Sequence, residues 1–382
     1  MGNFPHKLRE KLKKREQEDA FRILVNKTQL IDFSSNDYLG FARQKTIADR
    51  AATLLHEFEE PLNGSSGSRL LSGNGPLNDT LEKSLAKHYG SDTALIFNSG
   101  YDLNVGFFSS VPQRGDVILY DELCHASIRD GIRMSNAKSY KFKHNDLKDL
   151  NLLIDRFQTN QERELYVATE SVFSMDGDSP DLQAMVSLCQ KKEVQLVVDE
   201  AHAVGVFAKG LLHELRLQDQ VFARIVTFGK AMGSHGAAVL GDKNLKDFLV
   251  NFCRSLIYTT ALPPHTLATI WAAHKFFDSA SDQKYQQELH SNIGHFKSSV
   301  VKKGLAPYFC ISNSAIQVCK VKGNEKVKAL STKLEESGFD VRPILSPTVA
   351  MGQERLRFCL HAYNSKKEID NVLEALKSFL IS

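Results

Sequence analysis

Six short apolar runs in the middle of the chain constrain the fold most strongly. Segments with the helical spacing of apolar residues separate these runs. Strands that are buried on both faces read as continuous apolar runs, and crossover helices cover both faces of a parallel sheet. The pattern therefore predicts an α/β fold with a mainly parallel sheet. The runs are ALIFNS (94–99), DVILYD (116–121), ELYVATE (164–170), VQLVVDE (194–200), ARIVTFGK (223–230) and GAAVLG (236–241).

Polar residues follow these runs at the positions where parallel strands would end. Ligands of open α/β sheets bind beyond the carboxyl ends of the strands. We therefore expect the functional site at this edge of the sheet. The residues concerned are Asn98, Ser99 and Gly100, then Glu170, then Asp199 with His202, and finally Thr227 with Lys230.

The character of the chain changes after Pro263 and Pro264. A helical stretch at about 265–303 leads to two short strand-like runs and a last helical segment at 366–380. A chain of 382 residues is also long for a single core. We predict an N-terminal helical arm at 1–45, a large domain at 46–265 that carries the site, and a smaller α+β domain at 266–382.

Composition excludes several classes of protein. The chain has 42% hydrophobic and 24% charged residues, which is typical of a globular protein. Its formal charge is only +3, so we expect no nucleic-acid partner. No apolar run approaches the roughly 20 residues of a membrane span, and no apolar leader follows Met1. The six cysteines include no C-x-x-C pair, which predicts reduced, mostly buried thiols and a cytoplasmic location.

One basic segment, KLREKLKKR at 7–15, stands apart from this balanced charge. Leu8 and Leu12 recur in it at helical spacing. We interpret it as an amphipathic helix that packs on the body of the protein, in preference to a polyanion site.

The segment VVDEAHAVG at 197–205 allows two interpretations. Asp-Glu-Ala-His occurs in nucleic-acid-stimulated ATPases, where the acid binds magnesium. Such enzymes also need a G-x-x-x-x-G-K-[ST] loop to hold the nucleotide phosphates. The sequence contains no such loop. The acid at the end of this run is therefore expected to serve another cofactor, and no metal site is predicted.

A lysine in TFGKAMG at 227–233 follows the next apolar run. Adjacent strands would bring Lys230 close to Asp199, and a buried aspartate needs a cationic partner. A protonated pyridine nitrogen would supply that partner, and Lys230 would form a Schiff base with the aldehyde of pyridoxal phosphate. His202 could reach the ring's phenolate oxygen, and the 99–101 turn could bind the phosphate at a helix N-terminus.

Five motifs occur in order along the chain: FSSNDYLG (33–40), GSSGSRLLSGN (64–74), DELCHASIRDG (121–131), TESVFSMDGD (169–178) and TFGKAMG. Taken together, they resemble the α-oxoamine synthases, and the resemblance runs from about Leu8 to the C-terminus. These are fold-type I pyridoxal phosphate enzymes that condense an amino acid with an acyl thioester and release carbon dioxide. The resemblance implies a seven-stranded, mainly parallel sheet in the large domain.

The resemblance implies a role for each matching residue. Lys230, Asp199 and His125 are the catalytic candidates, with His125 stacked on the pyridine ring. The remaining cofactor contacts would be Gly100, Tyr101, Ser174, His202 and Thr227, with Thr259 and Thr260 reaching the phosphate of the partner subunit in a homodimer. The substrate contacts would be Arg357 at the carboxylate, Ser68 beside the amino-acid side chain, and Arg22 and Thr348 near the acyl chain and its thioester.

The resemblance leaves the substrates open within the family. Short motifs and a compact length favour L-alanine with a pimeloyl thioester, carried by CoA or by an acyl carrier protein. Serine with palmitoyl-CoA and glycine with acetyl-CoA are the alternatives. A catalytically silent regulatory subunit is a further alternative, which the presence of all three catalytic candidates disfavours. Two positions depart from the family pattern. Leu345 stands where several members carry an arginine, and Arg342 could take over the role of that arginine. Glu200 stands where a second aspartate or another residue is common.

Overall fold

A computed structural model of the protein describes residues 4–24, 29–60, 63–158, 163–279 and 282–381. The α-helices are α1 (His6–Gln17), α2 (Lys45–Glu57), α3 (Pro76–Tyr89), α4 (Gly100–Ser110), α5 (Ala126–Met134), α6 (Leu147–Phe157), α7 (Leu182–Lys191), α8 (Leu211–Glu214), α9 (Lys243–Phe252), α10 (Arg254–Ile257), α11 (Pro264–Phe277), α12 (Asp282–Lys302), α13 (Asn324–Glu336) and α14 (Lys366–Ile381). The strands are β1 (Ile31–Asp32), β2 (Thr93–Phe97), β3 (Val117–Asp121), β4 (Lys138–Phe142), β5 (Leu165–Glu170), β6 (Gln195–Asp199), β7 (Ala223–Thr227), β8 (Ala237–Gly241), β9 (Ile316–Lys320), β10 (Phe339–Asp340), β11 (Arg342–Ile344) and β12 (Arg355–Cys359).

The chain forms two compact units. The large unit contains residues 36–174 and 178–287, and the small unit contains 1–35, 175–177 and 288–382. In this grouping the first 35 residues belong with the C-terminal part of the chain. The three-part division at residues 45 and 265 stays a prediction from the sequence.

The large unit is built on a seven-stranded sheet in the order β2-β8-β7-β6-β5-β3-β4. All neighbouring strands are parallel except β8, which is antiparallel to both β2 and β7. All six apolar runs form strands, so the predicted α/β fold with a mainly parallel sheet is confirmed. The carboxyl ends of β5, β6 and β7 lie side by side, and they bring the polar residues at the ends of three runs together.

Two apolar cores hold the sheet between helices. Consecutive strand residues face opposite sides, as the pleat requires. Ile118 of β3 packs in a cluster with Leu103 of α4 and Ile128 of α5. Its neighbour Leu119 packs in the other cluster, with Ile154 of α6. This two-sided burial explains why the runs that form the inner strands are apolar throughout, because neither face of the sheet meets water.

The small unit has a three-stranded antiparallel sheet in the order β11-β12-β9. β1 and β10 form a separate parallel pair. The two strand-like runs, the long helical stretch and the last helix are therefore confirmed, although the long stretch is divided into α11 and α12. No described helix is long and apolar enough to cross a membrane.

The basic N-terminal segment forms helix α1, as predicted. Its packing was predicted wrongly, because α1 has no buried residue. Leu8 and Leu12 are 46% and 45% exposed. The cysteines are all free thiols, and five of the six are buried, with Cys310 intermediate.

Candidate active site

A cavity of about 270 Å³ opens at the carboxyl ends of β5, β6 and β7. Seven of the residues for which the sequence predicted a contact with the cofactor line this cavity together. They are Gly100, Tyr101, His125, Asp199, His202, Thr227 and Lys230. The other residues that line it are Asn36, Ser99, Asn104, Ser127, Glu170, Ala201, Gly229, His235 and Gly236.

Asp199 is buried at the end of β6 and is oriented by two donors. Asn104 donates from Nδ2 to Asp199 Oδ2 over 2.8 Å, and the Ala201 amide donates to Oδ1 over 2.9 Å. The same Asn104 amide also donates to Ser127 over 3.0 Å. These donors therefore hold the Asp199 carboxyl group in a fixed orientation on the cavity wall.

Glu170 pairs with Asp199 across β5 and β6 and faces the same cavity. Its burial, followed by the charge of Asp199, raises the pKa of Glu170 to about 8. Glu170 Oε1 accepts a 2.6 Å hydrogen bond from the His125 amide. At neutral pH Glu170 is thus mostly protonated.

His125 caps the N-terminus of α5, where its Nδ1 lies 2.7 Å from Ser127 Oγ. Desolvation lowers the pKa of His125 below its ordinary value, although the charge of Asp199 opposes this. A neutral imidazole on the cavity wall can stack on an aromatic ring without placing a second cation beside it.

The two acidic residues and the histidine of the Asp-Glu-Ala-His segment have separate roles. His202 Nδ1 lies 2.8 Å from the hydroxyl of Tyr38. Glu200 turns away from the cavity and is fully buried. It forms an ion pair of 2.7 Å with Arg224, and it accepts a hydrogen bond from the Leu212 amide over 2.9 Å. Asp199 and His202 therefore face the cavity, while Glu200 links β6 to β7.

The part of the cavity wall formed by Ser99, Gly100 and Thr227 fits the phosphate end of a pyridoxal phosphate. Ser99 caps α4 by accepting from the Asp102 amide over 3.0 Å, and Gly100 begins the helix. A Cβ atom at Gly100 would lie 2.6 Å from Thr227 Cγ2, so glycine is needed there. Thr227 Oγ1 is buried without a hydrogen-bond partner. A helix N-terminus and an unsatisfied hydroxyl suit a phosphate group.

Lys230 lies in the tight connection between β7 and the antiparallel β8. The Phe228 amide donates to Gly236 O over 2.9 Å, and the Gly233 amide donates to Lys230 O over 2.8 Å. Gly233 has φ +60°, and its Cβ position is 2.1 Å from the Ala42 amide nitrogen. The lysine is thus carried by a closed hairpin whose backbone has little freedom.

Four other predicted residues of the large unit do not line this cavity. Ser174 lies in the turn after β5. Asn98 donates from Nδ2 to Thr259 Oγ1 over 3.0 Å and to Thr260 O over 2.8 Å, so these threonines lie beside the start of α4 in their own chain. Ser68 is half-buried and accepts from the Gly73 amide through its carbonyl over 2.9 Å.

The remaining predicted residues belong to the small unit. Arg22 Nη2 donates to Thr348 Oγ1 over 3.1 Å, so the structure brings this pair together. Arg357 is buried in β12 and is paired in register with Arg342 of β11. Arg355 precedes Arg357 by two positions on the same strand face and forms an ion pair with Asp176.

Sequence reasoning missed Asn104, which orients Asp199. One signal could have identified it. Asn104 follows Gly100 by four positions, so both lie on the same face of a helix that is otherwise largely apolar. A buried amide on that face needs polar partners.

The chain matches the family described as aminotransferase class I and II over residues 28–376. It is 37% identical to an 8-amino-7-oxononanoate synthase from Emericella nidulans, over 100% of this chain and 98% of that protein. Serine palmitoyltransferase from S. paucimobilis with a bound PLP-myriocin aldimine superposes with a TM-score of 0.87 and 26% identity, over 98% and 96% of the chains. 8-Amino-7-oxononanoate synthase from Francisella tularensis superposes with a TM-score of 0.76 and 27% identity, over 92% of this chain and 98% of that chain.

The fold and the cavity define a fold-type I, pyridoxal 5′-phosphate-dependent transferase. The chain belongs to the aminotransferase class I and II family and, within it, to the α-oxoamine synthases. It is therefore a pyridoxal phosphate enzyme that transfers an acyl group.

Proposed function

We propose that the protein condenses L-alanine with a pimeloyl thioester and releases carbon dioxide, giving 8-amino-7-oxononanoate for biotin biosynthesis. The full-length similarity to an 8-amino-7-oxononanoate synthase is the observation that carries this choice of substrates. The thioester would be carried by CoA or by an acyl carrier protein. We place the reaction in the cytoplasm, in a homodimer.

The cavity supports this chemistry through the residues that would hold the cofactor. Bound pyridoxal phosphate supplies an electron sink for a bond broken at the substrate α-carbon. In this proposal Asp199 bonds the ring nitrogen, and the Asn104 amide keeps the carboxylate oriented. His125 stacks on the ring, while the N-terminus of α4 and Thr227 bind the phosphate.

Lys230 has two tasks in the proposed reaction. Its amine would hold the cofactor aldehyde, and its Nζ would also serve as the general base for the substrate α-proton. Arg357 would bind the substrate carboxylate through its planar guanidinium. The α-carbon bonds to the thioester carbonyl carbon, the thiol leaves, and the carboxyl group departs as carbon dioxide.

One observation favours a second candidate, the condensation of serine with a long-chain acyl-CoA. Serine palmitoyltransferase from S. paucimobilis superposes on this chain with a higher TM-score than 8-amino-7-oxononanoate synthase from Francisella tularensis does. Glycine with acetyl-CoA is a third pair within the same family.

A matrix of amino acids against acyl-CoA chain lengths, scored by release of free thiol, tests the proposal. We expect alanine with pimeloyl-CoA to give the highest kcat/KM, and Lys230→Ala to be inactive with every pair. A preference for serine with a long-chain acyl-CoA would replace the proposed function with the second candidate.

Ser68→Thr refines the test for the amino acid. The added methyl group would crowd the side chain of alanine but not glycine, and one methyl group is worth about 1–3 kcal/mol. Alanine turnover should therefore fall about tenfold more than glycine turnover. Equal losses for both amino acids would remove Ser68 from the substrate contacts.

A further inference from the structure

A histidine outside the cavity, His144, lies between two aspartates in the loops of the large unit. His144 follows β4 by two positions. Its Nδ1 lies 2.9 Å from Asp121 Oδ1, and its Nε2 lies 2.8 Å from Asp178 Oδ2. A neutral imidazole donates from only one nitrogen, so two carboxylate acceptors require the imidazolium. Burial lowers the pKa of His144, but the hydrogen bonds to both aspartates outweigh it and raise the pKa to about 10.

The surroundings of His144 hold its ring in this geometry. Phe173 meets the imidazole edge-on, with ring centroids 4.5 Å apart. Asn145 donates from its backbone to Asp121 over 2.9 Å and from its side chain to Asp178 over 2.9 Å. Further carboxylates lie near this loop. Glu122 accepts from the His144 amide over 3.3 Å and lies 3.6 Å from Lys141 Nζ, Asp149 accepts from the Lys143 amide over 2.8 Å, and Asp146 caps α6.

Asp121 and Asp178 each belong to a turn that carries a predicted cofactor residue. Asp121 is fully buried at the end of β3. Its side chain accepts from the Leu123 amide over 2.9 Å and its carbonyl oxygen accepts from the Cys124 amide over 3.0 Å, so Asp121 shapes the turn that leads to His125. Asp178 accepts from the Phe173 amide over 3.0 Å through its carbonyl, which closes the turn that contains Ser174.

We propose that His144 is a positioning residue for the cofactor site, where its imidazolium joins the His125 turn to the Ser174 turn. The residue does not line the cavity. It acts by holding His125 in register with the adjacent strand ends, where a small displacement of the imidazole would weaken its contact with a flat ring. The proposal rests on the cofactor roles proposed for His125 and Ser174.

The test compares cofactor affinity with protein stability. His144→Gln keeps one donor but loses the charge and one of the two bonds, while Asp178→Asn keeps an acceptor and loses one charge. Charge-assisted hydrogen bonds are the stronger ones, so we expect His144→Gln to raise the dissociation constant of pyridoxal phosphate about tenfold. Asp178→Asn should give a smaller increase. The apoprotein is titrated with cofactor, and its thermal unfolding is followed separately.

His295→Gln is the matched control, because it removes a single histidine–carboxylate pair of 3.0 Å with Asp370 in the small unit. Its cofactor affinity should stay within about twofold of wild type. If the His144 and Asp178 variants lower the melting temperature but bind cofactor as tightly as wild type, the positioning role is overturned. His125→Ala separates the two proposals: normal cofactor affinity in that variant would overturn the site assignment as well.

Discussion

Two neighbouring carboxyl groups, Asp199 and Glu170, illustrate how local environment divides chemical roles between similar residues. Both end adjacent strands and face one cavity. Asp199 receives two hydrogen bonds from N–H donors, whereas burial dominates at Glu170. Environments that differ in this way can give similar groups different chemical roles. Here the raised pKa belongs to Glu170.

Glu170 should make the stability of the apoprotein depend on pH. The unfolded chain ionises this carboxyl near its ordinary pKa of 4.5, but the folded protein does so near pH 8. The unfolded state therefore binds fewer protons between these values, and the folded state loses stability as the pH rises through them. Glu170→Gln, which keeps the oxygen that accepts from His125, removes this loss.

The advantage of Glu170→Gln over wild type should thus grow by about 3–4 kcal/mol between pH 5 and pH 8. Urea unfolding of both apoproteins across this range measures it. An advantage that does not change with pH would show that Glu170 is already ionised in the folded protein at pH 5.

At the scale of the elements, a buried ion pair fastens β6 to β7 behind the site. Arg224 is 2% exposed and Glu200 is fully buried. Arg224 also donates to the carbonyl oxygens of Tyr89 and Lys209, over 2.9 and 3.0 Å. The two strands that end in Asp199 and Thr227 are therefore held in register by a satisfied charged network as well as by their ladder.

Breaking this pair should be costly, because it leaves one buried charge without a partner. We expect Arg224→Met to lower the free energy of unfolding by about 3–5 kcal/mol. The double variant Glu200→Gln/Arg224→Met should recover part of that loss, since it removes the charge that was left. Arg50→Met is the control: its pair with Glu57 is half-exposed and should be worth less than about 1 kcal/mol. Denaturant unfolding of the four proteins gives these differences, and equal losses for Arg224→Met and Arg50→Met would contradict the argument.

The sequence predicted the elements whose pattern is local and missed those that depend on distant partners. The six apolar runs indicated six strands, because each is buried on both faces. Strand β4, KSYKF, was missed because it lies at the edge of the sheet and leaves Lys138, Ser139 and Lys141 exposed. The Glu200–Arg224 pair joins positions 24 apart, and no periodicity in the sequence indicates it.

The same distinction between local patterns and distant contacts holds for the site residues. Lys230 and Asp199 could be predicted because each ends an apolar run. His144 could not, because its two partners come from different turns that only the folded sheet brings together. The exposed Leu8 and Leu12 are the converse case, where a helical pattern predicted burial that the described part of the chain does not provide.

At the scale of the whole molecule, one exposed apolar patch of the large unit supports the proposed homodimer. Leu71 is 85% exposed and Tyr258 is 72% exposed. Their segments are joined, because Ser65 Oγ donates to Ala261 O over 2.7 Å and the Ala261 amide donates to Gly67 O over 2.9 Å. Large exposed apolar side chains on two joined segments, here called the patch, are typical of surfaces that a partner covers. Thr259 lies within this patch.

A charge at this patch should therefore separate the subunits. We expect Leu71→Lys to shift sedimentation from dimer to monomer and to weaken cofactor binding at least tenfold, because a partner's threonine would no longer reach the phosphate. Leu152→Lys is the control, since Leu152 is 67% exposed on α6, away from these segments. A monomer of Leu71→Lys with normal cofactor affinity would contradict the shared site.

The antiparallel placement of β8 has a consequence for how the protein folds. Parallel neighbours in the sheet pair only after a crossover segment has returned, so their contacts form between distant positions. β7 and β8 instead pair across a nine-residue turn at 228–236. Closing a short loop is fast, and local contacts precede distant ones along a folding pathway. We therefore expect the hairpin that carries Lys230 to form early, while the rest of the sheet is still assembling, and the other walls of the cavity to be added around the lysine afterwards.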